Sequence, residues 1–451
     1  MPKLSSRKEY AHLIKISLSV LSQTVILPLA ITVDTAIVGR LLGTVELAGL
    51  SVGAVIMNTI LGIGVFIIFS TNAAVAQHIG AGQNKKAVDT IINTIVLGVL
   101  LGAALTVLGY TLLRPATYAF DVMPEVREAA QFYMMGYMVC FPAIVVDMGC
   151  SGILRGLRKY KPLTIASFSS FALNIPMVLI FVQVFHMGLF GTGLAAAITI
   201  WLETIVKLII VWRHVRQFNY KLRPSLDGVL TSFNEGVPIL VREIVMWTTN
   251  LFLVYSIGVI GTAAVAGAQV SETLWVYVIF VLDSISQAIT TLVGERIGEK
   301  DWIGAKETLR RAIKLSLGYA GVLSLVLLGG GWFVPYIFTS DSEVIVFAIA
   351  ALIEGGLVVF HMAYTFVVDG ALIASKDTKY LAFVSVVASI VYIGSAFVAI
   401  NLVPHDFWGF IIVYGCYDGV FIGIRALLAK FRHNSDRWLR LARKEVGTSF
   451  E

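Results

Sequence analysis

Long apolar runs, broken at short intervals by polar segments, occupy the chain from about its tenth residue almost to its end. A helix that crosses the hydrocarbon core needs about 20 consecutive, mostly apolar residues. On that criterion the pattern predicts twelve membrane-spanning helices, near residues 12–38, 47–77, 90–113, 127–149, 162–185, 188–212, 231–259, 264–294, 307–334, 343–374, 379–402 and 407–430. Several runs exceed the minimum length, which implies tilt or extension beyond the hydrocarbon. The expected fold class is therefore all-α and integral to a membrane.

The loops between these runs alternate in charge. One set carries Lys3, Arg7 and Lys8; Lys85 and Lys86; Arg155, Arg158, Lys159 and Lys161; Arg213, Arg216, Lys221 and Arg223; Arg296, Lys300, Lys306, Arg310 and Arg311; Lys376 and Lys379; and the tail from Lys430 to Lys444. The other set is short and poor in cations, and only the loop with Arg114 and Arg127 departs, where Asp121, Glu125 and Glu128 offset the charge. Cytoplasmic loops hold the excess of Lys and Arg. The alternation predicts a multi-pass plasma (inner) membrane protein with both termini cytoplasmic. The polar start MPKLSSRKEY leads into an apolar stretch too long for a signal-peptide core, so no removable leader is expected.

Composition narrows the class further. Of 451 residues, 57% are hydrophobic and only 14% charged, against roughly a quarter charged in soluble domains. The net charge of +6 sits in loop clusters, which suits an anionic leaflet and not a nucleic-acid groove. Cys140, Cys150 and Cys416 lie within or beside apolar runs without metal-type spacing, and read as packing residues. No HExxH, Gly-x-Ser-x-Gly or DDxxD pattern accompanies the spans, so no enzyme and no cofactor are expected.

The chain repeats itself. Gly43-Thr44, Ala48-Gly49 and Val52 recur as Gly261-Thr262, Ala266-Gly267 and Val270; Val75, Ile79-Gly80, Ala87 and Thr90 recur as Val293, Ile297-Gly298, Ala305 and Thr308; Gly152 and Leu154 recur as Gly370 and Leu372. All share one offset of about 218 residues without gaps. Two halves of six spans each have the same orientation, so their pseudo-twofold axis runs along the membrane normal. The expected domains are residues 1–212, a linker at 213–230, residues 231–430, and a basic tail at 431–451.

Charge inside a bilayer is costly, so each intramembrane ionisable group is a functional candidate. Asp34 stands in the first span, six residues after Pro28, which breaks a backbone bond and kinks its helix. A carboxyl group there is a candidate for loading and releasing a proton. The second half offers Arg242, Glu243, Asp283 and Asp369, and similar depth would let Arg242 neutralise one carboxylate while another binds an ion. Tyr364-Thr365-Phe366 beside Asp369 supply oxygen and aromatic groups suited to a cation. Glu203 and Lys207 form an i,i+4 pair, His361 is a candidate relay, and Asp147, Glu272, Glu354 and Asp418 show no distinguishing neighbourhood. Trp275, Tyr364 and Met246 are candidates for lining a substrate cleft.

The segment VDTAIVGRLLG with Asp34, the span ending AQHIGAGQ and its repeat GERIGEKD resemble the multidrug and toxic compound extrusion (MATE) family. Arg242, LVGERIG and FVVDGALIAS with Asp369 resemble its DinF branch. The resemblance implies a V-shaped pair of six-helix lobes, exporting small cationic or amphipathic compounds against inward protons or sodium. It places an amino-terminal ion site at Asp34, Asn174 and Thr199. Where the family has an Asp four residues after that Asn, this chain has Val178, and Ile68 and Ser70 stand where DinF-like members carry an arginine. Sodium needs several hard oxygens and a proton only one titratable group, so the reading is a proton-coupled, monomeric antiporter. The alternatives are a sodium-coupled exporter of the same family and a lipid-linked precursor flippase. A flippase would want a cationic cavity, and Arg242 is nearly the only evident intramembrane arginine.

Overall fold

A computed structural model describes residues 6–120, 122–220 and 224–448, nearly all of them helical. Lys3, Asp121, Lys221 and Arg223 lie outside the described residues. The first two spans are each built from two helices, α1 (Ser6–Thr24) with α2 (Ile26–Leu41) and α3 (Thr44–Gly62) with α4 (Phe66–Gly80). The third is α5 (Asn84–Tyr118), and the fourth joins α6 (Pro124–Met138) to α7 (Phe141–Gly156). Next come α8 (Tyr160–Leu179), which ends in a π-turn at Ile180–Val184, then α9 (Gly188–Arg216), α10 (Leu226–Ile260), α11 (Thr262–Gly298) and α12 (Trp302–Gly330). After the short α13 (Pro335–Phe338) follow α14 (Ser342–Ala374), α15 (Thr378–Leu402), and α16 (Phe407–Gly415) joined by a π segment, Cys416–Ile422, to α17 (Gly423–Asn434). The last helix is α18 (Arg437–Thr448). Among the described residues eleven spans are long and apolar enough individually, and α6–α7, bent by 54° and counted as one broken span, makes twelve. These are the twelve that the apolar pattern predicts.

Each break has a local cause. Pro28 offers no N–H to the carbonyl of Thr24, and α1 gives way to α2 at Val25. Around Gly62 and Gly64 the bonds shorten to Ile63→Ile60, Gly64→Leu61 and Val65→Gly62, a tighter 3₁₀ turn between α3 and α4. Pro142 lacks the N–H that would bond Met138, and the α6–α7 bend falls just before it.

The chain forms two compact units. One is Ser22–Leu240; the other is Met1–Leu21 with Val241–Glu451. Within each, the repeat read from the sequence becomes a repeat of contacts. A Cβ added to Gly49 would lie within 3.1 Å of Ala129 and Ala130, and one added to Gly267 within 2.9 Å of Phe347 and Ala348, the same positions shifted by 218. Likewise Gly152 rests on the carbonyl of Ile68 and Gly370 on that of Ser286, again 218 residues on. Lipid tails are as apolar as leucine, so close approach at such small residues does what hydrophobic exclusion does in water. The backbone corners repeat too. Gly43 and Gly261 adopt positive φ, as do Gly82 and Lys300, and Arg158 and Lys376. Large apolar residues such as Leu251, Leu325, Trp408 and Leu402 are left exposed, as lipid-facing surface requires.

Within the basic tail α17 runs on to Asn434 and Arg437–Thr448 forms α18, with Trp438, Leu439 and Ala442 buried in the second unit. Arg443 lies 5.2 Å over the Trp302 ring and Lys306 pairs with Asp436 at 2.5 Å. Between α14 and α15, Asp377 receives two bonds from Arg432, at 2.6 and 2.9 Å. Burial pushes the Asp377 carboxyl up and the guanidinium opposes that shift.

Candidate functional site

In the first unit α2 packs against α8. Ile37 joins Val178, Val182 and Ala195 in one apolar cluster. Asp34 is one helical turn before Ile37, and Asn174 one turn before Val178, so the two polar residues occupy matching steps of adjacent helices. The Oδ1 atoms of both are buried without a hydrogen-bond partner among the described residues. Tyr133 and Tyr137 are near enough to interact electrostatically with Asp34. Thr199 is buried; its hydroxyl donates to the carbonyls of Ala195 and Ala196, and its carbonyl accepts from Ser170 Oγ. Val178 is fully buried in the apolar cluster and supplies no oxygen here.

The second unit shows the same trio of positions in another chemistry. Adding 218 to Asp34, Asn174 and Thr199 gives Phe252, Tyr392 and Tyr417. Those rings touch: Phe252 and Tyr392 meet edge-on at 6.0 Å, Tyr392 and Tyr417 at 5.6 Å. The second half carries packed rings at these three positions, where the first half carries an acid, an amide and a hydroxyl.

The charged residues of the second half are arranged differently from expectation. Arg242 bonds Glu243 at 2.7 Å and reaches Asp369 at 3.4 Å, while Arg425 pairs with Asp369 at 2.8 Å. Two guanidiniums thus hold Asp369, which leaves it as an ion-pair partner and not as an open cation ligand. Tyr364 and Thr365 do not join it: the Tyr364 hydroxyl bonds His433 at 2.9 Å, and the Thr365 hydroxyl donates to the His361 carbonyl. Asp283 accepts from Gln287 one turn on, and Arg242 feels its charge. Trp275 is buried against Gly355 in the core, and Met246 packs on that same core. Tyr364 and His361 instead border a cavity of about 550 Å³ with Lys430.

The expectation of a nearly unique intramembrane arginine is corrected, since Arg425 and Arg155 are also buried within spans. Arg155 donates to Gln23 at 3.2 Å. The Glu203–Lys207 pair forms at 2.8 Å, and Lys207 also holds Asp147 at 2.7 Å and Ser151 at 3.2 Å. Lys207 and Arg425 are 218 apart, and so are Ser151 and Asp369. Each unit therefore carries a buried cation at the same place, tied to the same neighbouring helix. The recurrence marks both clusters as staples between helices. The signal was present in the sequence, but only as an offset between unlike residues.

Comparison with known proteins agrees with this architecture. The MatE family profile matches residues 19–180 and again 238–398, once per half. The multidrug resistance protein NorM of Aliivibrio fischeri is 26% identical over 385 residues, covering 82% of each chain. NorM of Vibrio cholerae is 25% identical over 386 residues, covering 82% of this chain and 83% of its own. Among solved structures, the Vibrio cholerae MATE transporter VcmN in its bent form superposes with a TM-score of 0.85 at 18% identity, over 97% of this chain and 98% of that one. A MOP superfamily transporter from Pyrococcus furiosus gives 0.82 at 17% identity, over 98% and 97%. With the family profile matched across most of both halves, this chain is a membrane transporter of the MATE family and not an enzyme.

Proposed function

We propose that the protein is a secondary active exporter that exchanges small cationic or amphipathic organic compounds for protons moving inward, with Asp34 as the coupling group. The observation that carries this reading is the pair of buried, unpartnered oxygens on Asp34 and Asn174. Asp369, Glu243, Asp147 and Glu203 are all engaged by basic side chains. An unpaired carboxyl inside the bilayer gains most from taking up a proton, because protonation removes the charge that lipid and protein do not compensate. Its place just past the Pro28 break puts that change of charge on a helix already able to bend. Substrate and proton then oppose each other through one equilibrium. The NorM relatives, named for multidrug resistance, support the substrate class. The loop charges support termini in the cytoplasm and a plasma-membrane location, and the chain acts as a monomer.

The test uses everted vesicles or proteoliposomes in which pH and sodium gradients are imposed separately. Efflux follows the pH gradient in the wild type and is lost in Asp34→Asn, which keeps its fold by thermal melt. Efflux that follows sodium alone, or that persists in Asp34→Asn, overturns the assignment.

A further inference from the structure

Three carboxyl groups in the second unit take no part in the staples or in the Asp34 niche. Glu272 is on α11, Glu354 on α14 and Asp418 in the π segment Cys416–Ile422. Their helices α11, α14 and α16 all begin on the side away from the termini, because each opens an even-numbered span. Glu272 is 10 residues past Thr262, Glu354 12 past Ser342 and Asp418 11 past Phe407, so all three stand about 15–18 Å along their helices. Packing brings them together: α14 lies against both α11 and the π segment, and a Cβ on Gly415 would be 3.6 Å from Glu354 Oε2. Asp418 interacts electrostatically with both glutamates.

These groups lack the partners that buried carboxylates need. Among the described residues, both oxygens of Glu354 and Oδ2 of Asp418 are buried with no hydrogen-bond partner, and Asp418 is only 5% exposed. None of the three is in an ion pair among the described residues. The groups that interact with them are neutral, Tyr414 from α16 and Cys416 and Tyr417 from the π segment. These are backed by neutral residues in turn: Ser271 bonds Tyr414, Tyr392 meets Tyr417 edge-on, Trp275 lies against Gly355 and Ser324 bonds the Gly356 carbonyl. Arg425, two turns beyond Asp418, interacts with Tyr417 but is committed to Asp369 at 2.8 Å. The π segment itself is a distortion that helices tolerate mainly at functional sites.

We propose that Glu272, Glu354 and Asp418 form a second proton-binding site, built only in the carboxy-terminal half. The fold does not require these acids, since the first half packs the equivalent positions as Ala54, Gly136 and Ile200. Three carboxylates without a counter-charge in a low dielectric cannot all be ionised, and they titrate as one coupled group. Each uptake converts a carboxylate oxygen to a hydroxyl with a proton taken from water, and release reverses it. The proposed ligand is the proton, since among the described residues no three acids are placed as metal ligands are. The site goes beyond the Asp34 reading and stands apart from it, because protonation can be measured without transport.

The experiment is infrared difference spectroscopy of the full-length protein in lipid nanodiscs, stepping pH across neutrality and following the protonated-carboxyl band. The wild type and Asp34→Asn retain a band near neutral pH that Glu354→Gln and Asp418→Asn each diminish and the double variant loses. Melting curves confirm that the variants fold, and Glu272→Gln serves as a second probe if one does not. A band and pH profile unchanged in every variant overturns the proposal. So does a band removed by sodium at constant pH, which would make the site a metal-cation site.

Discussion

Replacing Lys207 by methionine separates a staple from a coupling site. Its ammonium is 2.7 Å from Asp147 and 2.8 Å from Glu203, and its side chain is 3% exposed. Methionine keeps the length and apolar stem but strands two carboxylates. Removing one partner of a buried pair costs about 3–5 kcal/mol. The two acids retain 21% and 15% exposure, which places the expected loss near the lower bound, about 3 kcal/mol or roughly a hundredfold in the folding equilibrium. Because membrane proteins often inactivate irreversibly, the assay is the rate of thermal inactivation in detergent at several pH values. The deficit shrinks as pH falls, since protons then neutralise the stranded acids, by up to about 1.4 kcal/mol per pH unit for each proton taken up. The triple variant Lys207→Met, Asp147→Asn, Glu203→Gln recovers to within about 1 kcal/mol of the wild type and still transports. A single variant as stable as the wild type, a deficit indifferent to pH, or a triple variant no better than the single would refute the reasoning.

Other outcomes follow from the same geometry. Gly152→Ala drives a methyl group to 2.7 Å from the Ile68 carbonyl and costs about 1–3 kcal/mol in thermal melts. Gly318→Ala, with nothing within 4 Å, is neutral or gains up to about 1 kcal/mol. Pro28→Ala restores the missing backbone bond at the α1–α2 break, so turnover falls in the efflux assay while substrate affinity measured by fluorescence quenching holds. Trp438→Ala removes a side chain that is 1% exposed and costs about 3–5 kcal/mol; limited proteolysis then cleaves within α18 before the rest of the chain.

The spans were legible because their signal is local, about 20 consecutive apolar residues for each helix. The pairing of halves was legible because glycines at helix crossings cannot be replaced without moving a helix, so Gly49 and Gly267 keep the repeat visible. The rotation of each helix about its axis was not legible. Nothing in the sequence around Asp369 says that it faces Arg425 and not Tyr364, since both alternatives satisfy the same apolar period. Glu272, Glu354 and Asp418 are 82 and 64 residues apart on helices that are not consecutive, and each alone reads as an isolated acid. Asp34 differs from these in that its proline, six residues earlier, and its motif share its own span.

The corners where helices end carry an unequal inheritance. Gly82 turns through positive φ without strain, but its counterpart Lys300, and Arg158 with its counterpart Lys376, hold the same left-handed conformation with full side chains, at about 1–2 kcal/mol each. A chain selected only for the relaxed end state would place glycine at all four. Cations there instead sit where helix dipoles end negative, and the positive-inside rule gives such clusters a second use, in orienting a chain as it inserts. Glycine at 158, 300 and 376 would yield a more relaxed molecule once assembled, and a larger fraction of newly made chains threaded upside down.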